Sequence, residues 1–226
     1  MQTALCTQHT TDNIQEAILM TRIFTRGRFI KAIAAGVVIS LVISLGSFNA
    51  RCAQIRERVV RLHVLAHSDS AEDQALKLQL RDAIVTASAG MLDGAENAAD
   101  ALALARENLP AIEAVAQETV YTAGYDYTVT TEVVEMYFTT RQYEQVTLPA
   151  GLYEAVRITI GEGGGKNWWC VVFPPMCVSA ATQKQQMTEV LGDDGLEDIV
   201  TQPQKYEVRL KLVELWEGFW GEIRQK

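Results

Sequence analysis

An uncharged apolar run near the N-terminus constrains this chain more than any other feature. The 17 residues from Ala32 to Phe48 contain no charged side chain, and four cations precede them: Arg22, Arg26, Arg28 and Lys31. A basic flank followed by an apolar run is the pattern of an export signal. Because the run is only just long enough to span a bilayer, which needs about 20 residues, a single-pass anchor with its basic end in the cytoplasm is the alternative.

This pattern predicts a basic region at residues 1–31 and an apolar signal or anchor segment at 32–52. Met20 is a more ordinary start for such a signal than Met1, because the first 19 residues are long for a basic region. A signal cleavage region is predicted at the residues that follow the run: Ala50, Cys52 and Ala53.

The remaining chain is strongly acidic. Residues 53–226 hold 15 Lys or Arg and 26 Asp or Glu, a net charge of −11, whereas the whole chain carries −8. An acidic surface repels nucleic acid and anionic lipid, so we expect no nucleic-acid partner, and membrane contact only through the N-terminal segment. The apolar fraction of 48% is ample for a packed core.

Periodicity predicts one α+β domain at residues 53–178, with an antiparallel-rich sheet packed on helices in two layers. Its predicted elements are a strand at 57–66, a helix at 70–88, a helical region at 97–122 divided by Pro110, and strands at 125–138, 152–160 and 168–173. The last two strands are expected to form a hairpin around a flexible turn, Gly161–Asn167. A phosphate-binding loop is excluded there, because a Trp-rich strand and not a helix follows.

The C-terminal part is predicted as a polar linker at 179–204 and a helix at 205–226 that packs on the domain. The apolar stripe of this helix is marked by Val208, Leu212, Leu215 and Phe219.

Two cysteines remain in the exported part, Cys170 and Cys177, on either side of Pro174 and Pro175. Thiols outside the cytosol can oxidise, and the two prolines can turn the chain back, so we expect a disulfide between them. Two buried thiols or a metal pair are the alternatives.

No catalytic constellation is recognisable. His63, His67 and Asp69 could at most bind a metal, but the His63–His67 spacing lies on a β-branched strand, only His9 is left elsewhere, and the third ligand is missing. We therefore predict no catalytic residue, no cofactor and no small-molecule substrate, and an exported binding or structural domain.

Three segments resemble the stage II sporulation protein R family. They are RLHVLAHSDSAEDQALKLQLRDAI (61–84), LPAGLYEAVRITIGEGGGKNWWCVVFPPMC (148–177) and YEVRLKLVELWE (206–217). The middle segment is the most specific of the three. Two positions depart from the expected pattern: His67 stands where Asn is expected, and Gly164 adds a glycine to the loop.

The resemblance implies a signalling protein of endospore formation, exported from the forespore into the space between forespore and mother cell. There it is expected to activate a membrane-embedded aspartic protease that processes pro-sigma-E, without performing chemistry itself. The alternatives are a secreted metal-dependent hydrolase of the cell envelope and a passive envelope-binding module.

We predict the partner contact at Asn167, Trp168 and Trp169. The two tryptophans are adjacent on a strand, so their rings are expected on opposite faces, one in the core and one exposed. Burial of both rings by the C-terminal helix is the alternative.

Overall fold

A computed structural model describes residues 3–175, 180–192 and 195–224. Its helices are α1 (Thr3–Glu57), α2 (Ala71–Met91), α3 (Ala98–Glu107), α4 (Leu109–Thr122), α5 (Ala180–Leu191), α6 (Leu196–Thr201) and α7 (Glu207–Arg224). Its strands are β1 (Val60–Leu65), β2 (Val129–Phe138), β3 (Arg141–Gln142), β4 (Thr147–Leu148), β5 (Gly151–Ile160) and β6 (Asn167–Phe173). The chain divides into two compact units, residues 1–48 and 49–226.

The described part of the N-terminal unit, residues 3–48, lies within helix α1. The stretch of α1 from Arg26 to Glu57 is long and apolar enough to cross a membrane, and its most apolar part is not buried by the protein. Large apolar side chains along it are exposed, including Ile39 and Ile43. A contiguous apolar surface of this kind is rare on soluble proteins, so this N-terminal helix suggests a signal or anchor segment.

The central sheet of the second unit has the strand order β2-β5-β1-β6. Strand β1 pairs in parallel with β5 and antiparallel with β6, and β2 pairs antiparallel with β5. The predicted α+β class, with an antiparallel-rich sheet packed on helices, is confirmed. The predicted hairpin between β5 and β6 is wrong, because β1 lies between them and their connecting loop crosses the end of β1.

One face of this sheet, which we call the covered face, packs against α2, α3 and α4. Alternate residues along each strand point to it. The strands contribute Leu62, Val64, Val129, Val156, Ile158 and Ile160, and the helices contribute Leu76, Leu80, Ile84, Ala101, Ile112, Ala116 and Val120. The predicted helical region is divided beside Pro110, which lies in the first turn of α4, where its missing N–H costs no helical hydrogen bond.

The opposite face is built differently, around the fully buried side chain of Arg61. Its Nε donates to the Cys170 carbonyl at 3.1 Å and its Nη2 donates to the Tyr143 hydroxyl at 2.9 Å. The guanidinium carbon lies 4.3 Å from the ring centroid of Phe138 and 5.0 Å from that of Tyr153. Hydrogen bonds to two of the three guanidinium nitrogens and the aromatic faces therefore offset part of the cost of burying this cation, whereas Nη1 has no hydrogen-bond partner among the described residues.

The predicted polar linker at 179–204 is wrong. Helices α5 and α6 occupy much of it, and they bury Met187, Leu191, Leu196, Ile199 and Val200. The carbonyl of Leu191 also accepts a hydrogen bond from Arg58. Two short helices present too few apolar residues in sequence for a helical period to show.

The C-terminal helix α7 exists, but its orientation is opposite to the prediction. Leu210 and Val213, each 4% exposed, face the domain, and α7 packs against β5. The predicted stripe of Val208, Leu212, Leu215 and Phe219 is 43–74% exposed. The prediction failed because α7 carries apolar residues on two sides, and the longer series is the outer one.

Candidate functional site: an open sheet face

Four side chains line up across the face opposite to the covered face, one from each strand. Glu132 is in register with Arg157, Arg157 with His63, and His63 with Trp169. Side chains in register point to the same side of a sheet. The next row holds Thr130, Thr159, Leu65 and Asn167. We call these two rows the open face, because every member except His63 is at least partly exposed.

Direct contacts join the members of the open face in pairs. The Nε and Nη2 atoms of Arg157 donate to Glu132 Oε1 at 2.8 and 2.5 Å. The rings of His63 and Trp169 are parallel within 4° and their centroids are 4.1 Å apart. A charged pair and an aromatic stack therefore lie side by side on one surface.

His63 is the buried centre of the open face. Its Nε2 lies 2.8 Å from Asn167 Oδ1, and because that oxygen only accepts, Nε2 carries the proton. Nδ1 is then a buried acceptor with no hydrogen-bond donor among the described residues. Burial lowers the pKa of His63 below its usual value, against the opposing effect of the Asn167 hydrogen bond. His63 is therefore a neutral platform for the Trp169 ring at pH 7.

The two adjacent tryptophans lie on opposite sides of the sheet. Trp168 packs against the covered core, and the guanidinium carbon of Arg81 lies 5.1 Å from its ring centroid. Trp169 lies on the open face, with the Phe138 ring edge-on at 4.7 Å. Of the two, only Trp169 offers an aromatic surface beside Asn167.

The glycine-rich loop Gly161–Lys166 holds β5 and β6 on either side of β1. The N–H of Gly165 donates to the Ala66 carbonyl at 3.0 Å, just beyond the end of β1. A Cβ on Gly165 would lie 2.2 Å from the Ser68 carbonyl oxygen. This position therefore needs glycine because two backbones approach closely.

Side chains of the turn after β1 bind the glycine-rich loop. The Nδ1 of His67 accepts from the Glu162 N–H at 3.1 Å, and Asp69 Oδ1 accepts from the Lys166 N–H at 2.7 Å. These side chains bind the loop, and within the described ranges no three His, Cys, Asp or Glu side chains are placed to hold a metal ion. The geometry gives no support to a metal site at His63, His67 and Asp69.

The first turn of α2 connects the glycine-rich loop and the turn after β1 to the helices on the covered face. The side chain of Ser70 caps the helix by accepting from the Asp73 N–H at 3.1 Å. The buried carboxylate of Asp73 accepts from the Ser68 hydroxyl at 2.5 Å, and this hydrogen bond lowers the pKa of Asp73. Lys77 donates to the Lys166 carbonyl at 2.9 Å, and burial lowers the pKa of Lys77.

The remaining predicted site residues lie elsewhere. Cys170 is buried on β6, and Cys177 lies outside the described residues, so the disulfide stays a prediction. The predicted cleavage region lies within α1, where Ala50 is exposed, Cys52 is fully buried and Ala53 is partly exposed. Cleavage there also stays a prediction.

Sequence reasoning missed Glu132 and Arg157 as part of the site and treated His63 only as a strand residue or metal ligand. The alternation of apolar and polar residues along the strand could have indicated Arg157. Arg157 lies between the core residues Val156 and Ile158, so its side chain had to emerge on the face opposite to the core.

The fold and the open face define an α+β domain that follows an apolar N-terminal helix in the sequence and carries an aromatic and charged surface. The sequence pattern of Stage II sporulation protein R (spore_II_R) matches residues 56–183. A protein named Stage II sporulation protein R from Bacillus subtilis (strain 168) is 35% identical over 159 residues, and the match covers 67% of this chain and 71% of that protein. No solved structure matches the chain.

The chain therefore belongs to the stage II sporulation protein R family, a family of sporulation proteins. The family description names no enzymatic activity. Residues 56–183 include every strand of the open face, whereas α7 lies beyond them.

Proposed function

We propose that this chain is an exported signal of endospore formation that activates a membrane-embedded aspartic protease, which then processes pro-sigma-E. Family membership over residues 56–183 is the observation that carries the proposal. The apolar N-terminal helix supports delivery across the forespore membrane into the space between the two cells. In this role the chain binds the protease and performs no catalysis itself.

The open face is the proposed contact with the protease. Trp169 supplies a large ring held in place by His63, and Asn167 lies exposed beside it. The side chains of Arg157 and Glu132 are 33% and 51% exposed, so they form a charged rim next to the ring. Tryptophan and arginine are the residues most enriched at interface hot spots.

Activation requires only a difference in affinity. If the protease has an inactive and an active arrangement, a domain that binds the active one more tightly shifts the population toward it. A tenfold preference corresponds to about 1.4 kcal/mol, which the aromatic anchor and its charged rim are able to supply.

The proposal is tested by producing the full chain together with the candidate protease and pro-sigma-E in one host, and following the conversion of pro-sigma-E on immunoblots. Processing should depend on the chain. Trp169→Ala and Glu132→Lys should each reduce it strongly, whereas Tyr121→Ala, which removes an exposed ring from α4 on the far side of the sheet, should leave it unchanged.

The outcomes separate two claims. Processing that is equally efficient without the chain contradicts the activator role and favours a passive envelope-binding module. Processing that needs the chain but tolerates both open-face substitutions keeps the role and rejects this contact surface. Glu132→Lys guards against misfolding as the cause, because Glu132 is an exposed side chain.

A further inference from the structure

Strand β2 forms one edge of the central sheet, and the domain covers only the first part of that edge. The N–H of Val129 donates to Gln117 Oε1 at 2.8 Å, and the N–H of Thr131 donates to Glu113 Oε2 at 3.0 Å. Both N–H groups therefore point away from β5, and side chains of α4 occupy them. An edge closed in this way does not accept a further strand.

The second part of the edge, Val133–Tyr137, has no such cover, and we call it the β2 edge. Val133, Glu135 and Tyr137 continue the alternation, so their N–H and carbonyl groups also point away from β5. Within the described ranges, none of these three N–H groups donates a hydrogen bond. The cause is the position of α4, which begins at Leu109 beside Thr131 and runs from there toward the start of β2.

The side chains of the β2 edge define what it can bind. Val134 and Met136 are partly buried and lie on the same side of the sheet as the open face, whereas Glu135 is exposed and lies on the other side. Glu154 is in register with Glu135, and Arg106 lies 3.8 Å from Glu154. One cation thus serves two carboxylates. Like charges directly opposite destabilise a sheet, so a further cation at this edge would relieve a repulsion.

A cleft of about 340 Å³ lies beside this pair of carboxylates. Glu57 and Glu217 also line it, and Arg56 is the cation among its lining residues. Arg56 is already paired with Glu217 at 3.3 Å. The cleft therefore has an excess of negative charge and room for the side chain of a lysine or arginine.

We propose that the β2 edge binds an extended segment of another protein as an additional strand, antiparallel to β2. Its backbone hydrogen bonds occupy the free N–H and carbonyl groups of the edge. A basic residue of the segment lies opposite Glu135, and the apolar residues on either side of it lie opposite Val134 and Met136. The recognised pattern is apolar–basic–apolar. This contact is separate from the open face and does not depend on the proposed function.

A second copy of the chain fits the β2 edge less well. Symmetric pairing centred on Glu135 would set this carboxylate against the same carboxylate of the other copy. Pairing centred on Val134 would bring Tyr137 opposite Thr131, whose N–H already donates to Glu113. A basic segment meets neither obstacle.

The test follows the fluorescence anisotropy of a labelled peptide, TVKVT with both ends blocked, on titration with the full chain in nonionic detergent. This peptide should bind, and two control peptides should bind at least about tenfold more weakly. One control carries a methyl group on the backbone nitrogen of its lysine, which removes a hydrogen bond to β2 and preserves the charge. The other control, TVEVT, reverses the charge.

Substitutions in the chain locate the binding site. Glu135→Lys should weaken the binding of TVKVT and strengthen that of TVEVT, whereas Glu96→Lys, the same change at another exposed position, should do neither. Val133→Pro should also weaken the binding of TVKVT, because it removes an outward N–H that the sheet itself does not use. Circular dichroism of each variant verifies the fold. Trp169→Ala should preserve binding, because Trp169 lies on β6 at the other edge of the sheet.

Four results would overturn the proposal. They are a parent chain that does not bind TVKVT, equal binding of the methylated peptide, which would indicate charge attraction alone, and unchanged binding in Glu135→Lys. The fourth is loss of binding in Trp169→Ala, which would place the peptide on the open face. Dimers in sedimentation that dissociate with Val133→Pro would assign the β2 edge to a second copy instead.

Discussion

The two faces of strand β1 solve the problem of burial in different ways. Leu62 and Arg61 are neighbours, and both are fully buried. Leu62 lies in an apolar core, where a side chain need only be hydrophobic and of suitable volume. Arg61, by contrast, needs a particular carbonyl, a particular hydroxyl and aromatic rings around it. The covered face therefore provides stability, and the opposite face fixes individual side chains in defined positions.

Side chains of the open face are fixed in defined positions in the same way. His63 follows Arg61 by two residues on the same side of β1, and it holds Trp169 by stacking and Asn167 by a hydrogen bond. Groups held in place before binding lose little conformational entropy when a partner binds. The comparison teaches that the buried polar residues of this domain hold side chains of the open face in place, as the proposed contact with the protease requires.

The largest expected effect is on the covered face. Leu62→Ala should lower the free energy of unfolding by about 2–5 kcal/mol, because it leaves a cavity in a packed core. Urea unfolding of the full chain in nonionic detergent measures this. Leu78→Ala, at an exposed position of α2, is the matched control and should change stability by no more than about 0.5 kcal/mol. Equal effects of the two substitutions would show that the covered face is not the core.

Arg61→Ala should cost slightly less, about 2–3 kcal/mol, since it removes the donor to the buried Cys170 carbonyl and to the partly buried Tyr143 hydroxyl. The same unfolding measurement applies. Arg141→Ala removes an exposed arginine on β3 and should have almost no effect. If Arg61→Ala were as mild as Arg141→Ala, the contrast between the two faces would disappear.

A substitution in the glycine-rich loop should have an intermediate effect on stability. Gly165→Ala forces a Cβ against the Ser68 carbonyl and should cost about 1–3 kcal/mol. Gly164→Ala is its neighbour and control, because a Cβ there meets its nearest atom, the His67 carbonyl oxygen, at 3.4 Å. Thermal unfolding should rank the two variants in that order, and the reverse order would mean that the loop does not pack on the turn.

The smallest expected effect is the pH dependence of His63. Its folded pKa is lowered, so the unfolded chain binds the proton more readily; the stability that follows from this is present above the unfolded pKa of about 6.5 and is lost as the pH falls below it. His63→Phe should flatten the unfolding free energy across that window. The loss due to Asp73 begins only near the ordinary carboxyl pKa of about 3.9. An unchanged slope between pH 7 and 5 in His63→Phe would argue against a buried neutral imidazole.

Local patterns predicted most of the elements. Val156, Ile158 and Ile160 alternate with more polar residues in the predicted strand and share the covered face, and Ser70, at the start of the predicted helix, caps α2. Both signals act over a few residues, so the sequence displays them directly.

Long-range features were not predictable in this way. The position of β1 between β5 and β6 depends on pairings across about 100 residues, and only those pairings bring Glu132, Arg157, His63 and Trp169 into one row. The orientation of α7 was equally hidden, because either of its apolar sides could have faced the domain. Of the open face, the sequence analysis named Asn167 and Trp169 as contact residues and not the side chains that hold them, and their contact with a partner stays a prediction.

The most direct measurement of the central claim is site-specific photo-cross-linking in sporulating cells, with a photoreactive phenylalanine analogue placed either at Trp169 on the open face or at Gln79 on the outer side of α2. The account predicts a cross-link to the membrane-embedded protease from position 169 and none from position 79. Cross-linking from position 79 alone, or from neither position while pro-sigma-E is being processed, would contradict it.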